Sequence, residues 1–242
     1  MFQTLIQKLL SINWLLFLTI NAPAGHTPIL DMLMPLLAED ALYLFPLFIL
    51  LLWWIPGGRS PAARRERSIS REAVLWSVVA ALLALVVNVV LGTLIYEPRP
   101  FIGHLQDHQL IPHPADASFP SDHAAVSFAI AGALLLRFWL AYRLHALPGA
   151  TSSPMYTEGY QALSDAALAG LRRRTGLMAG LALLLAVAIG YARVYVGVHY
   201  PVDILGGAII GLLAAWIALL ARRMLRPVAQ FAERVAQQVH LA

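Results

Sequence analysis

Apolar residues run in long blocks along this chain, separated by short intervals that hold most of its charge. Uncharged apolar windows cover residues 41–55, 73–96, 124–136 (extending to about 142), 175–192 and 204–221. A helix needs roughly 20 such residues to cross the hydrocarbon core, where every backbone polar group must find its partner within the protein. The pattern therefore predicts an all-α polytopic membrane bundle with five transmembrane helices. A sixth apolar stretch, 9–20, is short and is marked by Asn13 and Asn21. It is expected to be an interfacial or re-entrant helix, with a sixth span as the alternative. The segment LDMLMPLLAED, 30–40, reads as a kinked entry to the first certain span. Lys8 ahead of an apolar run and APAG behind it give the N-terminus some look of a signal peptide. A single lysine is a thin basic region and Asn13 breaks the run, so this segment is expected to be retained.

Composition agrees with this pattern. Of 242 residues, 60% are hydrophobic and 12% charged, whereas soluble domains carry about 25% charged residues. Five or six spans leave no room for a sizeable soluble domain, so residues 1–242 read as one membrane domain. The formal charge of +4 does not point to nucleic acid, because 14 of the 17 basic residues fall in three segments at span ends, 59–71, 137–174 and 222–234. Placed in the cytoplasm by the positive-inside rule, these segments give a consistent alternation with a cytoplasmic C-terminus. The opposite face then receives YEPRPFIGHLQDHQLIPHPADASFPSDHA and RVYVGVHYPVD. Between the spans on the basic side, 144–171 reads as a flexible linker rich in Pro, Gly and Ser. There is no cysteine, so disulfide and thiolate chemistry are excluded.

The polar residues of the outer face form a pattern of their own. In EPRPF, prolines on both sides of Arg99 favour an extended turn that presents the guanidinium from a fixed backbone. Arg99 then either snorkels to the interface or binds phosphate oxygens in bidentate fashion. In ASFPSDHAAV, Pro120 and Ser121 lead into an apolar helix whose first N–H groups form an anion site. His123 lies in its first turn, and Asp122 is either a helix-dipole acid or a catalytic group. Arg193 ends one span. His199 precedes the next, Pro201 suits that helix's first turn, and Asp203 can reach back to the His199 ring. A carboxylate on one imidazole nitrogen leaves the other as base or nucleophile.

EPRP, FPSDHA and ARVYVGVHYPVD resemble the three signature motifs of the type 2 phosphatidic acid phosphatase superfamily, written K-x6-RP, PSGH and SR-x5-H-x3-D. The third matches in spacing throughout, from Arg193 through His199 to Asp203. Gly92 stands where the family lysine is expected, Asp122 replaces the glycine of PSGH, and Ala192 replaces a serine. The Asp form of the second motif is similar to the bacitracin-resistance type of undecaprenyl pyrophosphate phosphatases. That resemblance implies His199 as the nucleophile, Asp203 as its orienting partner and His123 as the proton donor to the leaving group. It implies phosphate binding by Arg99, Arg193 and the backbone at Ser121, while Glu97, by its position beside Arg99, and Asp122 are candidates for substrate tuning. It also implies a polyprenyl diphosphate lipid substrate, no cofactor, and a bacterial cytoplasmic membrane with the site facing the exterior. His104, His108 and His113 lie in a proline-containing loop without cysteine, and no dedicated metal site is expected there. A transporter is the main alternative from another class. It would be expected to show helices broken at mid-membrane in paired inverted halves, whereas here the polar residues gather at one surface.

Overall fold

A computed structural model describes residues 2–54, 61–103, 108–143, 165–221 and 231. His104, Asp107, most of the linker and the four C-terminal arginines lie outside the described residues. Among the described residues eight α-helices follow one another: α1 (Phe2–Asn21), α2 (Pro28–Glu39), α3 (Leu44–Trp53), α4 (Pro61–Leu94), the single turn α5 (Pro100–Gly103), α6 (Asp122–Arg143), α7 (Asp165–Tyr195) and α8 (Pro201–Ala221). A 3-10 turn over Asp40–Tyr43 joins α2 to α3.

Each of the five apolar windows falls largely in helix, with Ile95 and Tyr96 just beyond α4 and Ile55 outside the described residues. The first begins earlier than the window, because α2, the 3-10 turn and α3 form one apolar stretch, Pro28–Trp53, with Pro35 inside it. Gln3–Asn21, Ile69–Leu94, Arg173–Tyr195 and Pro201–Ala221 are likewise long and apolar enough to cross a membrane. The N-terminal segment is thus a continuous helix with the length and composition of a span. At 22 residues, α6 is about 33 Å long at 1.5 Å per residue, and it packs against α4, α7 and α8. Large apolar side chains such as Leu82, Val86, Leu184, Leu205, Ile209 and Trp216 are exposed on the outside of the bundle, as expected of an integral membrane protein whose outer surface faces lipid.

Lipid is as apolar as leucine, so helices in a membrane associate through close packing more than through a hydrophobic drive. The seam between α4, α6 and α8 shows how. It is lined by Ala80 and Ala84, by Ala125, Ala129 and Ala133, and by Ala214, Ala215 and Ala218. Gly207 and Gly211 on α8 bring the backbones closer still. A Cβ on Gly207 would lie 2.5 Å from the Ser121 carbonyl oxygen, and one on Gly211 2.4 Å from that of Ala125. The N-terminal end of α6 is thereby seated against the start of α8. Further along, Arg137 of α6 donates to Glu72 of α4 through Nε at 2.9 Å.

The two asparagines that break the N-terminal apolar run are structural partners. Asn13 Oδ1 accepts the Val202 N–H at the opening turn of α8, 3.0 Å away. Asn21 Nδ2 donates to the carbonyls of His108 and Tyr195, at 2.9 and 2.8 Å, while its Oδ1 accepts the His108 N–H. These bonds tie α1 to the polar end of the bundle.

Candidate active site

The C-terminal ends of α4 and α7 and the N-terminal ends of α6 and α8 meet at one end of the bundle, and each delivers one piece of the site. Beyond α4 the chain is extended. An isolated antiparallel bridge pairs Pro98 with Ala117, and the Ser118 N–H donates to the Glu97 carbonyl at 2.8 Å. This short clasp fixes Arg99, which is 5% exposed. Its Nε donates to Asp116 Oδ1 at 2.7 Å, its Nη1 to the Val198 carbonyl at 2.8 Å, and its Nη2 to the Ala117 carbonyl at 3.3 Å.

His199 sits in the α7–α8 connection, in the tight turn after Val196. Gly197 there has φ +83, and a Cβ on it would lie 2.7 Å from the His108 carbonyl oxygen, so both conformation and space call for glycine. Pro201 starts α8, which puts Asp203 in the first turn, as the spacing suggested. Asp203 Oδ2 is 3.4 Å from His199 Nδ1 and also accepts the Tyr200 N–H at 2.8 Å and the Ser118 hydroxyl at 2.5 Å. The other ring nitrogen, Nε2, faces two guanidinium groups, with Arg99 Nη1 at 3.2 Å and Arg193 Nη2 at 3.5 Å. Burial, and after it the positive charges of Arg193 and Arg99, hold the imidazole well below its ordinary value. At neutral pH it is an uncharged ring with a lone pair among cations.

Arg193 is 2% exposed. Its Nη1 reaches the Ala38 carbonyl at 3.4 Å, and its Nε is buried without a hydrogen-bond partner. The Ser121 N–H, expected to face a phosphate, donates instead to the Asp203 carbonyl at 3.2 Å. The Ser121 hydroxyl is the group that remains buried and unpartnered. His123 lies in the first turn of α6, partly buried, within electrostatic range of Arg193, His199, His113 and Arg99. Half-buried Glu97 stands beside the site, and burial and then the charge of Asp203 push its carboxyl above the usual range. The arrangement gathers at one end of the bundle a neutral imidazole, two buried guanidinium groups, one of them with an unpartnered Nε, a second histidine and the unpartnered Ser121 hydroxyl. Phosphoryl transfer requires such positioning and positive charge around the phosphoryl oxygens.

Two contributors, Ser118 and Asn88, were not picked out from the sequence, and two more, His113 and Asp116, stood out there only as members of the outer loop. Ser118 completes the hydrogen bonding of Asp203. Asn88 of α4 donates to the Pro120 carbonyl at 2.9 Å and to the Asp122 carboxylate, so Asp122, one of the two candidates for substrate tuning, is clamped to α4 by its side chain. His113 and Asp116 lie against Arg99 and His199. Asn88 did carry a signal, as the one amide in an otherwise apolar window, where polar side chains are costly and kept for a reason. Asn88→Ala is expected to lower kcat by about 10- to 100-fold by letting the start of α6 drift, since a shift of about 1 Å at a reacting group costs that much. Steady-state phosphate release checks this, with KM expected to change less than kcat.

The model of the PAP2 superfamily matches residues 73–227. The chain belongs to the PAP2 superfamily. All three motifs of this PAP2 protein lie inside the match. It is 27% identical over 227 residues to the undecaprenyl-diphosphatase BcrC of Bacillus subtilis, covering 94% of this chain and 93% of that protein. It is 27% identical over 199 residues to a protein of Bacillus licheniformis named bacitracin transport permease protein BcrC, covering 82% of this chain and 75% of the other. Among solved structures it resembles that of Aquifex aeolicus LpxE, with a TM-score of 0.56, 26% identity, and coverage of 86% of this chain and 94% of that one. This PAP2 protein is a membrane-embedded phosphatase, and its polar site lies where the superfamily motifs converge.

Proposed function

We propose that the protein hydrolyses undecaprenyl diphosphate to undecaprenyl phosphate and inorganic phosphate, regenerating the carrier lipid of cell-wall synthesis. The whole chain acts as one membrane phosphatase domain. The site opens at the outer face of the cytoplasmic membrane, and the C-terminus is cytoplasmic, as the distribution of arginines favours. The observation that carries this reading is the pairing at His199, with Nδ1 on Asp203 and Nε2 between Arg99 and Arg193. The undecaprenyl-diphosphatase relative covers nearly the whole chain and supports the choice of substrate. The prenyl tail stays in lipid while the diphosphate reaches the polar end of the bundle.

In this reading the Nε2 lone pair of His199 attacks the terminal phosphorus. The bond from that phosphorus to the bridging oxygen breaks, and undecaprenyl phosphate leaves with a proton that His123 has taken from solvent as the negatively charged diphosphate enters. His123 then takes a proton from water, whose oxygen attacks the phosphohistidine and releases phosphate. Asp203 and Ser118 hold the ring, while Arg99, Arg193 and Ser121 hold phosphoryl oxygens.

The test is phosphate release by the purified protein in detergent, with undecaprenyl diphosphate and phosphatidic acid presented in parallel. Preference for the diphosphate is expected. Preference for phosphatidic acid would assign a different lipid phosphate, and dependence on an added acceptor lipid would make the protein a phosphotransferase. A second result is expected from pH. Because His199 is held neutral, kcat/KM should not fall as pH is lowered from about 8 to about 6. An acid limb centred near the ordinary imidazole value of about 6.5, shared by two substrates with different phosphate ionisations, would contradict a neutral nucleophile.

A further inference from the structure

The donors around His199 suffice for one phosphoryl group, yet a diphosphate brings two. Arg193 Nε and the Ser121 hydroxyl are buried without partners and can be given to the phosphate under attack. Arg99 has less to offer. Its Nε and one N–H of each Nη are committed to Asp116 and to the Val198 and Ala117 carbonyls, which leaves one N–H on each Nη for a phosphoryl oxygen. No cation comes from Gly92 on α4 either, where a Cβ would have no heavy atom within 4 Å.

His113 occupies the gap. Its ring lies edge-on to that of His199 with centroids 6.4 Å apart, and its side chain is 17% exposed. Its Nδ1 faces the Pro114 carbonyl at 3.2 Å and Asp116 Oδ1 at 3.7 Å. The main chain thus holds the Nδ1 side of the ring, leaving Nε2 for a substrate. We propose that His113 is a specificity-determining residue for diphosphate, a conditional third cation that takes a proton from bulk solvent when a diphosphate enters and binds its second phosphate. The inference rests on the diphosphatase reading above.

The charges around the ring give the mechanism. Arg99 and Arg193 face it from the chain after α4 and from α7, His123 from α6, His199 from the α7–α8 turn, and Asp116 from its own loop. Burial lowers the affinity of His113 for a proton, the Pro114 carbonyl opposes this, and Arg99 and Arg193 lower it further. A bound diphosphate neutralises both arginines and adds negative charge, which reverses the last two contributions. The proton is then held by the complex more tightly than by the unliganded protein. Diphosphate affinity must therefore fall as pH rises between the two values. A phosphate monoester, satisfied by Arg99, Arg193 and Ser121, recruits His113 less.

The experiment compares prenyl diphosphate with prenyl monophosphate in wild-type protein, His113→Gln and His113→Arg. His113→Gln is expected to raise KM for the diphosphate about tenfold, the equivalent of one unit of proton affinity, with kcat and the monophosphate KM nearly unchanged. His113→Arg, a permanent cation, should restore the low KM and flatten its dependence on pH. Equal KM values in wild type and His113→Gln, an equal rise for both substrates, or failure of His113→Arg to restore KM would overturn the inference. Calorimetric titration with methylenediphosphonate in two buffers of different ionisation enthalpy stands independently of turnover. Wild type should take up about one proton more than His113→Arg, and equal uptake would also overturn it. Absence of turnover of any prenyl diphosphate by wild type would count against the diphosphatase reading, while the calorimetry would still decide the role of His113.

Discussion

Replacing His199 with alanine is expected to abolish phosphate release, with kcat falling by about 10⁴-fold or more, the scale on which loss of a covalent nucleophile is felt. The expectation follows from geometry. His199 Nε2 faces both guanidinium groups, and Asp203, Ser118 and the Tyr200 N–H are arranged around its other side. The ring of His113 is centred 6.4 Å from that of His199 and so does not occupy its position. The protein should still fold, since His199 lies in a turn at the end of the bundle and none of the seams between helices depends on it. Monodisperse elution in detergent and a helical circular dichroism spectrum would establish that. Turnover within about tenfold of wild type in a folded His199→Ala protein would remove His199 as the nucleophile.

Gly211→Val is expected to have the largest effect on stability. Even the first added carbon would lie 2.4 Å from the Ala125 carbonyl oxygen and 2.7 Å from the Ala129 nitrogen. Both are backbone atoms of a helix and cannot swing aside. Overpacking of a close interface costs about 1–3 kcal/mol or more, and here α8 would have to move away from α6. Because Ser121 immediately precedes α6 and His123 lies in its first turn while α8 carries Asp203, activity should be lost together with thermal stability. Gly176→Ala on α7 is the control, since a Cβ there meets nothing within 4 Å. Alanine in a helix is favoured over glycine by about 1 kcal/mol, so this variant should unfold at the same temperature or slightly higher. A Gly211→Val protein with unchanged melting temperature and activity would mean that α6 and α8 are not held at this distance.

The sequence by itself determined the membrane bundle and the gathering of the polar motif residues at one end of it. Transfer into lipid depends on a short window of consecutive residues, so each apolar block announces its helix without reference to the others. The Arg193, His199 and Asp203 relationship was legible for a similar reason. Pro201 starts a helix, and one helical turn then brings Asp203 to the ring of His199. The tertiary structure alone decided the rest. It put Ser118 on Asp203 across 85 positions and Asn88 on Asp122 across 34. It turned the Ser121 N–H onto the Asp203 carbonyl, and it showed the apolar break at Asn21 to be a clamp on the His108 loop. A lone serine, asparagine or glycine has no local signature of such a role, because the energy of a hydrogen bond or a close backbone approach exists only once the partner is brought alongside.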